Sequence, residues 1–292
     1  MSVEAEVVRQ PPSEGSVLAD SFGFSEIFRR VLATAREELD RSTQLLFWSG
    51  LAAGLSLGLT FFARATLTGL TGSPEPGFIG NLLYPVGFVI IVLGKYQLFT
   101  ENTLTPVALV LTRLARPANL LRLWGTVLLA NLVGAAMIAA LFSLTDVKGA
   151  AAAEAARKMG RHAIESDLGA LFWRAVIAGW IVATMVWLVH AVRDTLSRIV
   201  VVSLLMYMIG ISDLFHVVTG TVEVLYLVFE GEASFWSIWH RFVLPVLAGN
   251  VIGGVVFVAI VNTAQFGSEE GGDLVARLRK GEQDLGDVDL KP

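Results

Sequence analysis

Residues 199–229 read IVVVSLLMYMIGISDLFHVVTGTVEVLYLVF. The run is apolar and longer than the roughly 20 residues that a helix needs to cross a bilayer. Its middle and second half nevertheless hold Gly210, Ser212, Asp213, His216, Thr219, Gly220, Thr221 and Glu223. An ionisable group near the bilayer centre costs about 2.5–3.5 kcal/mol even on the mildest scale. The stretch therefore reads as a broken span whose polar middle faces protein or a water-filled path, not lipid. Such a break points toward transport.

The other residues belong to the same solvent. The 292-residue chain is 54% hydrophobic and 16% charged, against about 25% charged residues in soluble domains. The reading is an all-α membrane protein. A net charge of −4, with no basic patch interleaved with aromatics, gives no case for nucleic acid. The absence of cysteine excludes disulfides and thiolate metal sites. The four histidines, at 162, 190, 216 and 240, fall in no HExxH or HxxxH pattern, so no metal or other cofactor is expected. No nucleophile–base pair appears in the spans, which argues against an intramembrane enzyme.

Four regions are expected. Residues 1–21 are polar, lack the basic-then-apolar order of a cleavable leader, and are expected to be disordered. Residues 22–41 form an amphipathic helix with Phe24, Ile27, Phe28, Val31 and Leu32 on one face, lying in the membrane interface or packing beneath the bundle. Residues 42–266 form a six-span transmembrane channel domain, and residues 267–292 a charged cytoplasmic tail with a short helix at Leu274–Lys280.

Within the channel domain, Ser42–Ala63 carries no charge and places Gly50, Gly54 and Gly58 at four-residue spacing, a stripe that lets a neighbouring helix approach closely. The second span opens at Pro76, meets Lys95, Gln97, Thr100, Glu101, Asn102 and Thr103, and resumes to Thr112. Leu123–Thr145 is a clean third span around Asn131 and Gly134. Residues 146–167 are polar and read as the longest loop. The fourth span is Leu168–Val192, the fifth the opening stretch, and the sixth Phe242–Phe266, with Gly249, Asn250, Gly253 and Gly254. Lys and Arg in short loops set orientation. Arg113, Arg116, Arg122, Arg193 and Arg198 share one side with Arg29, Arg30, Arg36 and Arg41 if there are six crossings, which places both termini in the cytoplasm.

The two halves echo each other. Leu98-Phe99-Thr100 stands at the second-span break and Leu214-Phe215-His216 at the fifth. Asn131 and Gly134 of span three match Asn250 and Gly253 of span six. Three spans per half force the copies into opposite orientations, an inverted 3+3 repeat whose broken helices, the second and fifth spans, meet near the midplane.

At these residues the sequence resembles the formate/nitrite transporter family. GKYQLFTENTLTPVAL (94–109) is similar to that family's second-span loop, DLFHVVTG (213–220) to its fifth-span loop, and GNVIGGVVFV (249–258) to its sixth span. The resemblance runs over about residues 25–265. It implies a homopentamer of aquaporin-like protomers in a prokaryotic inner membrane, surrounded by lipid. Each pore would pass small monovalent anions such as formate or nitrite, or their conjugate weak acids, with or without a proton. It also implies that Thr100 and His216 meet between hydrophobic constrictions at Tyr84, Phe88, Leu98 and Ile209. The chain departs from the family pattern at Gly220 (an asparagine there), Phe215 (a glutamate), Lys95 (a small residue), Asp167 (near a lysine) and Ala183 (an asparagine).

An imidazole with an unperturbed pKa near 6.5 changes charge with small changes of surroundings. His216 is thus expected to donate to an anion or to relay a proton. The relay would avoid most of the cost of burying a bare anion. Thr100 would orient the ring or offer its hydroxyl. Lys95 and Asp213, each a few residues before its half's key side chain, are expected to form a buried ion pair, with Lys95 attracting anions as the other role. Asn131 and Asn250 are expected to bond the broken loops or touch solute. A pore for neutral solutes such as water or polyols, and a non-conducting scaffold on the same fold, are the other readings that the residues allow.

Overall fold

The computed structural model describes residues 22–73, 76–145, 147, 149–268 and 271–280. The disorder expected for residues 1–21, and most of the expected tail, lie outside the described residues. Helix α1 (Phe24–Asp40) leads into α2 (Thr43–Thr71). Three short helices follow, α3 (Gly77–Gly80), α4 (Val86–Gly94) and α5 (Thr105–Leu111), and then α6 (Pro117–Leu144). The second half runs through α7 (Gly149–Glu165), α8 (Leu168–Ala191), α9 (Thr195–Ile211), α10 (Val217–Phe229), α11 (Phe235–Gly267) and α12 (Gly271–Lys280). Among the described residues all regular structure is helical. Helices α2, α6, α8 and α11 are long and apolar enough to cross a membrane.

The other two apolar regions are broken as the polar residues predict. Each first helix ends on a left-handed non-glycine residue, Lys95 after α4 and Asp213 after α9, both at φ +53°. The turn is closed alike in both: the Tyr96 N–H donates to the Ile91 carbonyl (3.0 Å) and the Leu214 N–H to the Ile209 carbonyl (3.1 Å). One asparagine then holds each loop. The Oδ1 of Asn131 accepts from the Phe99 N–H (2.9 Å), and its Nδ2 donates to the carbonyls of Gln97 (2.9 Å) and Gly50 (2.8 Å). Asn250 does the same for the Val217 N–H (2.8 Å) and the carbonyls of Phe215 (3.0 Å) and Ala175 (2.8 Å). These bonds pair Ile91 with Ile209, Lys95 with Asp213, Gln97 with Phe215 and Phe99 with Val217 at one constant separation in the chain. Leu98, not Thr100, is therefore the counterpart of His216. The Leu-Phe echo seen in the sequence is two residues out of register, because the asparagine bonds and not the apolar pair set the alignment.

Glycines let the long helices meet backbone to backbone. A Cβ at Gly54 would strike the Asn131 carbonyl and Gly134 of α6, and a Cβ at Gly179 would strike the backbone of Asn250 on α11. The stripe at Gly50, Gly54 and Gly58 packs against α6, as its spacing implies.

One element differs from the sequence expectation. Residues 149–165 are a helix rather than a loop. Ala152, Ala155, Ala156, Met159, Gly160 and Ala163 form a buried face of small side chains, which packs against α2 and α10. Alanine and glycine carry little hydropathy, so the charges on the other face dominated the sequence. Helix α1 packs beneath the bundle: Phe28, Val31, Leu32 and Ala35 are fully buried against α5, α8 and α11. Phe28 stacks on Phe266 at 4.3 Å, and the Thr34 hydroxyl lies 3.0 Å from His190 Nε2. At the other end of the chain, Arg279 of α12 donates to the Thr112 carbonyl just past α5 (2.6 Å).

Candidate functional site

His216 is the N-cap of α10. The Thr219 N–H donates to its Nδ1 (3.3 Å), so the ring's own proton sits on Nε2 and is donated to Thr100 Oγ1 at 2.7 Å. The loops of the two breaks thus meet at this side-chain pair, both members of which are buried. The Thr100 carbonyl in turn accepts from Thr103 Oγ1 (2.7 Å). Phe88 stands edge-on to the His216 ring at 5.2 Å and stacks on Tyr84 at 5.8 Å. Leu98 and Ile209 are fully buried.

Two cavities flank this layer. The smaller, about 420 Å³, is lined by Arg64, Asn81, Tyr84, His216 and Glu223 among others. The larger, about 860 Å³, is lined by Glu38, Ile91, Lys95, Gln97, Glu101 and His190 among others. Helix α4 leads from Tyr84 on the smaller cavity to Lys95 on the larger. Helix α9 runs the other way, from Arg198 on the larger to Gly210 on the smaller. Phe88, Leu98 and Thr100 line neither cavity and lie in the closed layer between them.

The expected Lys95–Asp213 pair does not form. The two residues are counterparts in the repeated bond pattern, and they line different cavities at opposite ends of α4 and α9. Lys95 is exposed on the larger cavity. Asp213 pairs instead with Arg174 and with His162 Nε2 (2.7 Å). Asn131 and Asn250 hold the broken loops, the first of the two roles expected for them. Both amide hydrogens of each are committed to backbone carbonyls, and neither residue lines either cavity.

Other polar residues form part of the site without having been singled out. Arg64 of α2 is partly buried: its Nη1 donates to Glu223 Oε1 (2.7 Å) and its Nε to Asn81 Oδ1 (2.7 Å). Ending the first span at Ala63 left this lone charge outside it, although α2 continues to Thr71. On the larger cavity, Glu38 of α1 accepts from Thr105 Oγ1 (2.6 Å) and from Gln97 Nε2 (3.3 Å), and Asn102 Nδ2 donates to Gln97 Oε1 (3.2 Å). Burial pushes the Glu38 carboxyl up from the ordinary carboxylate range. One departure from the resembled pattern has a packing cause. The ring of Phe242 occupies the space that a Cβ at Gly220 would need, so an asparagine there would require the ring to move. Asp167 caps α8, accepting from the Ala170 N–H at 2.9 Å.

Comparison with known proteins shows the same fold elsewhere. A family model described as formate/nitrite transporter matches residues 25–264. The inner membrane protein YfdC of Escherichia coli (strain K12) is 36% identical over 259 residues, 87% of this chain and 82% of its own length. Among solved structures, an FNT family ion channel superposes with a TM-score of 0.72 at 18% identity, covering 82% of this chain and 99% of that one. A pentameric formate channel with formate bound superposes with a TM-score of 0.65 at 19% identity, covering 77% and 97%.

Proposed function

The chain belongs to the formate/nitrite transporter family, and from that premise we propose that it conducts small monovalent anions, or their conjugate weak acids, between its two cavities. The observation that carries the proposal is the Thr100–His216 contact, a buried polar pair that joins the two loops in the layer separating the cavities. With the Nε2 proton given to Thr100 Oγ1, the threonine keeps its hydroxyl hydrogen to offer a solute. An oxyanion arriving at that hydroxyl meets a donor backed by the imidazole. A proton passed from Nε2 through the threonine, as Nδ1 takes up another from water in the smaller cavity that His216 lines, would let the solute cross the layer as its neutral acid and leave the ring neutral, which avoids most of the cost of a bare buried charge. Tyr84, Phe88, Leu98 and Ile209 supply the apolar walls that exclude hydrated ions. Lys95, exposed on the larger cavity, attracts anions to it, and Asp213 fixes the opposite loop through Arg174 and His162.

The same proposal takes the protomer as a six-span inverted repeat. The matched asparagine bonds and the opposite directions of α4 and α9 between the cavities support that reading. Helix α1, α12 and the arginines at 41, 113, 116 and 122 gather at the end of the larger cavity. Arg122 donates to the Leu39 carbonyl and Arg279 to the Thr112 carbonyl there. This clustering of arginines supports the reading that both termini lie in the cytoplasm. Exposed apolar side chains such as Leu59, Leu129, Trp173 and Leu204 would face lipid or the sister subunits of a homopentamer.

The test is a flux panel in liposomes with formate, nitrite, lactate, hydrosulfide, chloride and water. Flux of small weak-acid anions supports the proposal. Osmotic swelling without anion flux would select a neutral-solute pore, and no flux of any solute by an assembled oligomer would leave a scaffold.

A further inference from the structure

Arg64 lies on the wall of the smaller cavity with its side chain only 11% exposed, opposite a Glu223 side chain that is 6% exposed. A guanidinium carries five N–H donors in a planar fork. Nε–H is taken by Asn81 and one Nη1–H by Glu223. The remaining three have no acceptor among the described residues. The guanidinium carbon sits 5.6 Å from the centroid of Tyr84, and Tyr84 stacks on Phe88, which meets His216 edge-on. An unfilled cationic fork thus stands one ring away from the closed layer.

Its two partners hold the guanidinium still. Glu223 also cancels its charge, so that an arriving anion is attracted by directed hydrogen bonds and not trapped by net charge. A conducting site needs binding strong enough to admit a solute and weak enough to release it. The other charges at this cavity do not compete. Asp213 is engaged by Arg174 and His162, and Lys158 is an exposed point charge without a planar edge.

We infer that Arg64 receives the solute in the smaller cavity and selects for planar anions with two oxygens on one atom, a carboxylate or nitrite, over single-atom acceptors such as chloride and hydrosulfide. The open edge of a guanidinium matches two coplanar oxygens with two parallel bonds, a geometry that an ammonium cannot supply. Arg64 would thus set which anion reaches Thr100. This inference rests on the channel reading above.

The test measures formate and hydrosulfide flux side by side in proteoliposomes for the wild type, Arg64→Lys, and the double variant Arg64→Gln/Glu223→Gln. Arg64→Lys keeps the charge opposite Glu223 and loses the fork. The double variant removes both charges, so neither is left alone in the interior if the single change harms folding. Both variants should lose about tenfold of formate flux, as expected for losing a charge-assisted bond, while hydrosulfide flux changes less than about twofold. Parallel loss of both solutes, or unchanged formate flux, in variants of the same oligomeric size as the wild type would overturn the inference and leave the channel reading standing. A wild type that passes neither solute would overturn both.

Discussion

Asn131 and Asn250 explain how two helices can stop inside an apolar bundle. Each satisfies one N–H and two carbonyls with a single side chain. A buried polar group left without a partner costs about 1–3 kcal/mol. Asn250→Ala should therefore lower the thermal midpoint in detergent markedly, and an unchanged midpoint would contradict the role. The prediction for Thr100 is different in kind. Thr100→Val keeps the shape and removes the hydroxyl, so it should reduce anion flux about tenfold or more, whereas Thr100→Ser should retain most of it. Equal flux in the two variants would refute the donor role. Both residues were legible in the sequence, because a polar side chain inside an apolar run has few reasons to be there. Arg64 was not legible, since a span chosen to be uncharged ends just before it. Its partner Glu223 lies 159 residues away, a contact that only the fold brings about.

At the scale of elements, the breaks and the glycine stripes could be read from composition and spacing, whereas α7 could not, and the docking of α1 only as one of two placements. Helix α7 hides its helical pattern in alanines. Helix α1 shows its apolar face clearly, but not that Glu38 would be buried beside Thr105 and Gln97. That burial has a pH consequence. The Glu38 carboxyl sits above its ordinary range, so the folded state holds the proton more tightly than the unfolded state does. Its contribution to stability is therefore lost as pH rises above the ordinary carboxylate pKa. Glu38→Gln should unfold at a higher temperature than the wild type at neutral pH, with the difference shrinking on acidification. Melting curves that stay parallel across pH would contradict this account of how α1 is held.

For the whole molecule, the two halves share a bond pattern and differ at its centre. The bond pattern of the breaks repeats, yet Leu98 occupies one copy of a position that His216 occupies in the other. The asymmetry leaves a single imidazole at the join, facing Thr100, with a cavity on either side. The central claim is that solute crosses at this pair. The most direct test is the pH dependence of formate uptake into liposomes, measured for the wild type and His216→Ala over about pH 5 to 8, where a histidine-linked step is visible. The account predicts formate flux in the wild type and a changed rate or a changed pH profile in His216→Ala. Identical flux and an identical pH profile in the two proteins would contradict it.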